Sequence, residues 1–594
     1  MRSSLRKSVA VLVLFAVCVQ PVTATVHVPA VTKDGDQGGV AEVGVTIHEG
    51  TGEVTVKGEG DTEIGETLRG SAYLAAFVAS DMTDIDMSKY DFVYRVEINS
   101  EAIDGPSAGA AMAVETVAEI EGWETDDTVI TGMVNPDGSI GPVGGVDDKL
   151  NFSASEGYDR LVVPTGQTRI KGIERGPRGS RITETTNLTR IGNQRNVEVV
   201  EVDSVAEGVY AATGKNVTQS TENVTDTDTS VRSESFTRRM RGLASNLRNS
   251  SHSLLEESRE RGINTSQAEN EIDTGESYFD NESYYSSTSS FFQSMISMRS
   301  AIFERKIEDE GLDAVKQEVR GEIDTSKEYL ESRRETTALT GLQASESRIT
   351  KAEARLEGVG SLESTEIDVA ANRLGFAYER ARTARYWVNV TQQPEDEIRD
   401  YPRIKTVAKS HLDRTERVWD YFRVMFDLPQ NFRPNSLTTA RTNYEKGYYY
   451  GSMIDSLSAF GVLSARLQSF DVDPDITREY QTSKREARAE ILDAQRQGID
   501  STLPVSLYLF SQNSLDDERM KFEVYEQAKL IAKYNAQIKE PPSKTPAKLK
   551  EVRDPIVNPG PDSIIRPGTP LAVAALVLVG LLASVLVRRL KPRH

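Results

Sequence analysis

The stretch EAIDGPSAGAAMAVE, residues 101–115, sets one serine among very small residues directly ahead of a helical pattern. Gly105 and Pro106 end a preceding strand, and proline is well suited to a first helical turn. Ala110, Val114 and Val117 then share one helical face. Ser107 is therefore expected at or near a helix start. Free backbone N–H groups and the positive end of the helix dipole gather there, a place that favours a developing oxyanion. The small neighbours Gly105, Ala108 and Gly109 let another backbone come close. On helix physics alone a serine here is an N-cap. As a nucleophile it needs a base.

Histidine is a poor source of that base. The histidines are His27, His48, His252, His411 and His594, so none lies between residues 49 and 251, and His48 sits in an alternating strand pattern. A lysine serves if burial lowers its pKa from ~10.4 toward ~7–8, which costs about 4 kcal/mol and demands an apolar pocket. VITGMVNPDGSIGPVGGVDDKLNFSASEGYDRLVVP, residues 129–164, reads as a strand, an NPDGSIG turn, a Gly-Gly bend, a helix bearing Lys149 and the strand RLVVP. Lys149 is the sole lysine between Lys89 and Lys171. From spacing alone it reads as a solvated helix lysine.

These two blocks resemble the proteolytic domain of the Lon family, the Ser/Lys-dyad peptidases. DGPSAGAAM, Asp104 to Met112, resembles the family's nucleophile motif, and ITGMVNPDGSIGPVGGVDDKL resembles its second block. The 42-residue separation of Ser107 and Lys149 fits the same pattern. The likeness extends through YRVEINSEAIDG upstream and DRLVVPTG downstream, roughly residues 40 to 212. It implies an α+β Lon-type proteolytic fold with Ser107 as nucleophile and Lys149 as general base. Thr131 would orient the lysine, Asp104 would be the acidic residue before the nucleophile, and backbone at Gly105 and Ala108 would hold the oxyanion. It further implies a serine endopeptidase acting on proteins or peptides, with neither cofactor nor metal. Members often form rings, which leaves a homo-oligomer open. Family members typically carry an ATPase module, yet no G-x-x-x-x-G-K-[ST] occurs here. GVYAATGKN, residues 208–216, has one residue too many and lacks the hydroxyl after lysine. ATP-independent cleavage of unfolded or exposed segments is the resulting expectation. The competing reading is a catalytically inactive Lon-like surface protein whose helical domain binds partners.

The rest of the chain reads as follows. Residues 25–212 mix strands and helices: AEVGVTIHEGTGEVTVKGEG suggests a hairpin, LRGSAYLAAFVASDM a helix and DFVYRVEIN a buried strand. Residues 213–235 form a polar linker. Residues 236–539 are helical in pattern, with Ile367, Ala370, Leu374, Ala377, Ala381, Ala384 and Val388 spaced as one apolar stripe. Residues 540–569 hold prolines at 541, 542, 546, 555, 559, 561 and 567 and read as a stiff stalk.

Both ends suggest a membrane address. Residues 1–24 read as a secretory signal, with Arg2, Arg6 and Lys7 ahead of an apolar run. Residues 570–587 are uncharged, about 27 Å of helix, and Arg588, Arg589, Lys591 and Arg593 follow in the tail 588–594. The positive-inside rule then predicts a single-pass cell-membrane protein, its N-terminal ectodomain extracellular and its C-terminus cytoplasmic. The likeness to archaeal exported, membrane-anchored Lon-like peptidases points the same way.

A net charge of −21 argues against nucleic-acid partners. Arginine outnumbers lysine 47 to 23 and carboxylates are abundant, as on halophilic proteins. Cys18 is the only cysteine, so beyond the signal the chain has no disulfide, thiol nucleophile or thiolate metal site.

Overall fold

The computed structural model describes residues 25–547, apart from 32–37, 61, 127, 176–180, 218–229, 362–365, 392–400, 471–475 and 540. Alternating apolar residues build the central sheet. In β1 (Thr25–Val31), β2 (Gly38–Glu49), β3 (Val54–Gly58) and β5 (Tyr90–Glu97), every second side chain turns inward; in β5 these are Tyr90, Phe92, Tyr94 and Val96. Among the described residues the sheet has seven strands in the order β13-β10-β7-β1-β2-β5-β3, with β7 (Val129–Ile130), β10 (Arg160–Pro164) and β13 (Glu198–Val202) parallel to one another. Short strand pairs lie beside it: β4 (Glu63–Ile64) with β6 (Ala102–Ile103), β8 (Met133–Val134) with β9 (Ile140–Gly141), and β11 (Arg169–Arg175) with β12 (Arg181–Asn187).

The expected hairpin between β2 and β3 is corrected. β5 lies between them, antiparallel to β2 and parallel to β3. The turn after β2 is held instead by Asp91 of β5, whose Oδ1 accepts from the amides of Thr51 (2.7 Å) and Glu53 (2.9 Å). Local alternation marks a strand but does not choose its neighbour.

Among the described residues five helices accompany the strands: α1 (Glu66–Thr83), α2 (Gly109–Glu121), α3 (Val146–Ser155), α4 (Leu188–Gln194) and α5 (Val205–Thr213). α1 and α2 are alanine-rich and almost wholly buried, so the two backbones pack closely.

The rest of the described chain is helical: α6 (Glu234–Glu260), α7 (Ser266–Asp280), α8 (Tyr284–Glu310), α9 (Leu312–Arg333), α10 (Leu339–Glu357), α11 (Ile367–Val390), α12 (Tyr401–Met425), α13 (Asn435–Glu445), α14 (Tyr449–Gln468), α15 (Thr477–Arg496), α16 (Thr502–Ser514) and α17 (Glu518–Lys539). The α11 stripe from Ala370 to Val388 is buried, and α11 packs on α8 and α10. An α/β region is thus followed by an all-helical one.

The helical region grips α1. Phe77 of α1 meets Phe460 of α14 edge-on with ring centroids 5.6 Å apart, and Lys533 of α17 pairs with Asp81 at 2.6 Å. The chain beyond α17 also returns to this side, where the Lys544 amide donates to the Asp84 carbonyl at 3.0 Å.

The single-pass membrane arrangement is corrected. Among the described residues no helix is long and apolar enough to cross a membrane. Their apolar stripes are interrupted by charged residues nearly every turn, as in α12 and α17, because one face meets protein and the other water. The extracellular-ectodomain placement built on that span is withdrawn with it. The segments 1–24 and 570–587, the tail 588–594 and most of the linker and stalk lie outside the described residues.

Candidate active site

Ser107 occupies the middle of a 3-10 turn, Pro106–Ala108, that runs straight into α2. Gly105 before it has φ +116° and ψ 160°, a conformation essentially reserved for glycine, and a Cβ there would meet open space. The constraint at Gly105 is therefore torsional, and one side of the turn stays uncovered. Ser107 itself is half-buried.

The turn is stitched to the segment between β7 and β8. The Ser107 carbonyl accepts from the Gly132 amide at 3.0 Å and from the Thr131 hydroxyl at 3.3 Å. The Ala110 amide donates in return to the Gly132 carbonyl at 3.0 Å, and the Thr131 amide to the Val162 carbonyl of β10 at 3.0 Å. Thr131 is fully buried.

Lys149 reaches the same threonine. Buried Val146, Lys149, Leu150 and Ser153 recur at i, i+3, i+4 and i+7 along α3, so the lysine rides on the inward stripe. Val146 and Leu150 join a core with Val129, Leu161, Val163, Leu188 and Val197. Each such side chain contributes about 1.5–3 kcal/mol on burial, enough together to carry a polar group inward. Lys149 is 3 % exposed, and its Nζ donates to Thr131 Oγ1 at 3.0 Å. The single threonine hydroxyl proton is free to go to the Ser107 carbonyl, so Lys149, Thr131 and Ser107 form a directed chain. Burial pushes the Lys149 amine down to about 8, and burial is its only resolved cause. An amine with such a value is substantially uncharged in mildly alkaline solution.

Asp104 does something else. It is exposed, and its Oδ1 accepts from the Leu68 amide in the first turn of α1 at 2.9 Å. The formal N-cap of α1 is Gly65, which has no side chain to offer. A Cβ at Gly65 would sit 2.1 Å from Asp104 Cγ, so the glycine makes room for a cap supplied from the nucleophile loop. Ala108, buried, is the first residue ahead of α2. His48 lies exposed on β2 in register with Asp91.

Sequence reasoning missed Gln167. Its Oε1 accepts from the Val143 amide at 3.0 Å and its Nε2 donates to the Val143 carbonyl at 2.8 Å. This side chain acts as a strand partner for the loop that leads through Gly144 and Gly145 into α3. A lone glutamine after RLVVPTG carries no local signal of that role.

Among the described residues no group of three or more His, Cys, Asp or Glu side chains is arranged to hold a metal ion.

The Lon protease (S16) C-terminal proteolytic domain family matches residues 20–181. The archaeal Lon protease of Thermoplasma acidophilum is 28 % identical over 126 residues, 21 % of this chain and 19 % of that protein. The Lon protease of Desulfovibrio desulfuricans is 27 % identical over 139 residues, 22 % of this chain and 15 % of that protein. Lon protease 2 of Bacillus subtilis is 30 % identical over 132 residues, 21 % and 24 % of the respective chains. The chain thus spans about a fifth of the length of these curated relatives, and the family match, residues 20–181, falls in the N-terminal part of the chain.

Proposed function

We propose, from the premise that residues 20–181 carry a Lon-type serine-peptidase domain, that this protein is an ATP-independent endopeptidase acting on unfolded or exposed protein segments. Lys149 Nζ, uncharged, takes the proton of the Ser107 hydroxyl, and Oγ attacks the scissile carbonyl carbon. Backbone amides of the Gly105–Ala108 turn, at the positive end of α2, hold the resulting oxyanion. The lysine returns its proton to the leaving amine. Water then attacks the acyl carbon as Lys149 takes its proton, and Ser107 Oγ departs, taking that proton back from the lysine. Thr131 positions the lysine. Asp104 holds the nucleophile loop against α1 and does not touch the reacting atoms.

The observation that carries this reading is the buried amine of Lys149, donating to Thr131 Oγ1 while that hydroxyl lies on the Ser107 carbonyl. ATP independence is supported by the absence of G-x-x-x-x-G-K-[ST] from this sequence. The test is cleavage of an unstructured protein such as casein by the full chain without nucleotide. Wild type is expected to cut it and to be labelled at Ser107 by a serine-directed phosphonate. Equal cleavage by wild type, Ser107→Ala and Lys149→Ala would overturn the mechanism. Cleavage by the wild type only when ATP is added would overturn ATP independence.

A further inference from the structure

The nucleophile turn is held on only some of its sides. Gly105 leaves one side open, and the Thr131–Gly132 segment closes another. A further wall is the start of α1. There the Glu63 amide donates to the Glu101 carbonyl and the Gly65 amide to the Ile103 carbonyl, both at 2.9 Å, and Asp104 caps the Leu68 amide. The pairing of β4 with β6 runs through the same residues. The segment 101–104 that leads into Ser107 is thus tied to the first turn of α1, and a shift of one carries the other.

α1 in turn lies along α12 of the helical region. Arg414 stands over the Phe77 ring at 4.5 Å, Arg417 over the Tyr73 ring at 5.2 Å, and Tyr421 reaches Gly70. The two helices therefore run antiparallel, and of these three contacts Tyr421 makes the one nearest the nucleophile turn. A Cβ at Gly70 would sit 2.4 Å from Tyr421 Cδ2 and 3.0 Å from its Cβ and Cγ, so the ring fills a notch that only glycine leaves. Alanine favours a helix interior over glycine, so the glycine here serves the contact and not the helix. Tyr421 is 3 % exposed. Burial raises its phenol above the ordinary value, Ser71 offsets part of this and the Asp104 charge adds to it, which sets the hydroxyl close to both. The start of α1 is notched twice, at Gly65 for Asp104 and at Gly70 for Tyr421.

We propose that Tyr421 is a positioning residue for the dyad, through which the helical region sets the first turn of α1 and with it the place of Ser107 relative to Lys149. The catalytic half of this role rests on the peptidase reading; the contact does not. A misplacement of about 1 Å costs up to about 10²-fold in rate, so a small slip of α1 is enough.

The experiment follows labelling of Ser107 by a serine-directed phosphonate in the full chain, which reads the nucleophile without a bound peptide. Tyr421→Leu should slow labelling and kcat about 10–100-fold with little change in KM. Tyr421→Phe keeps the ring in its notch and should retain most of the rate. Gly70→Ala should behave like Tyr421→Leu, although alanine strengthens the helix itself. Phe460→Leu trims the grip on the same helix at Phe77, about two turns further along, and should lower Tm while leaving labelling within about twofold. Adding Asp104→Ala to Tyr421→Leu should slow labelling no more than the slower single variant does, since both act through α1. The Leu68 amide lies in the first turn of α1 and has no partner within that helix, so its hydrogen exchange reports the Asp104 cap and should quicken in Tyr421→Leu.

Labelling of Tyr421→Leu or Gly70→Ala at the wild-type rate would overturn the proposal. So would equal slowing by Phe460→Leu, or fully additive losses in the double variant. If Tyr421→Leu does not fold, Gly70→Ala and Tyr421→Phe decide the matter, and a Tyr421→Phe chain slowed as much as Gly70→Ala counts against the ring. Unchanged Leu68 exchange in a chain that still cleaves casein defeats this role alone. A wild type that cleaves nothing and takes no label, yet whose Leu68 exchange quickens on Tyr421→Leu, defeats the peptidase reading alone.

Discussion

Two buried lysines in this molecule have opposite characters. Lys149 of α3 and Lys529 of α17 are 3 % and 7 % exposed. Lys529 donates to Glu526 Oε1 at 2.6 Å and to Glu486 Oε2 at 3.0 Å, and these carboxylates hold its amine well above the ordinary lysine value. Lys149 has the hydroxyl of Thr131 in place of a carboxylate, and burial alone lowers it to about 8. Burial is common to both, so it does not by itself make a base. What separates a base from a structural ion pair is the chemistry of the atom that receives the N–H.

The sharpest way to break that contrast is to truncate both amines. Lys149→Met should lower peptide cleavage about 10²–10⁴-fold, the range of a lost general base. Lys529→Met should leave cleavage chemistry intact but destabilise the fold by about 3–5 kcal/mol, because Glu526 stays buried without its cation. Urea denaturation of the two variants reads the second effect. A Lys529→Met chain as stable as wild type would erase the distinction.

Lys149→Met should act on stability in the reverse direction. A folded value of about 8 against an ordinary 10.5 corresponds to roughly 3 kcal/mol of cost, carried in full below pH 8. The unfolded state binds more protons between pH 8 and 10.5, so this contribution improves as pH rises through that window. For Lys529, whose value is raised, stability is present below the ordinary lysine value and is lost only as pH climbs through the folded one. Urea midpoints at pH 7 should therefore be higher for Lys149→Met than for wild type, and the gap should shrink toward pH 10.

The pH profile sharpens the contrast further. kcat/KM for an uncharged peptide should rise with pH and level off above about 8, because the free enzyme must lose the Lys149 proton. A flat profile from pH 6 to 9 would remove the lysine from the rate law. Thr131→Val should have the smallest effect, about 10–100-fold on kcat with little change in KM, and should shift the ascending limb of the profile. The Ser107 carbonyl keeps its bond from the Gly132 amide in that variant, so the turn survives. An unchanged limb would mean that Thr131 serves packing alone.

Much of this architecture can be read locally. Pro106 and the small residues after Ser107 mark the turn into α2, whereas the spacing around Lys149 fits a solvated lysine and only the packed structure puts it on the buried face of α3 with Val146, Leu150 and Ser153. The periodicity of α11 likewise marks its buried stripe. Other features carry no local mark. β5 inserts between β2 and β3, Asp104 caps a helix that begins some forty residues earlier, and Gln167 braces the loop before α3. Nothing in the polar segment before α6 announces that the helical region will clasp α1 through Phe460 and Lys533.

The sequence by itself determined which segments are helix, strand and turn, and which side chains ride on their apolar faces, because periodicity and turn chemistry act over a few residues. Only the tertiary structure decided what each buried cation would meet: a threonine for Lys149, two glutamates for Lys529, aromatic rings for Arg380. The charge state of a buried group depends on the atoms brought against it from distant parts of the chain, and no local pattern encodes that company.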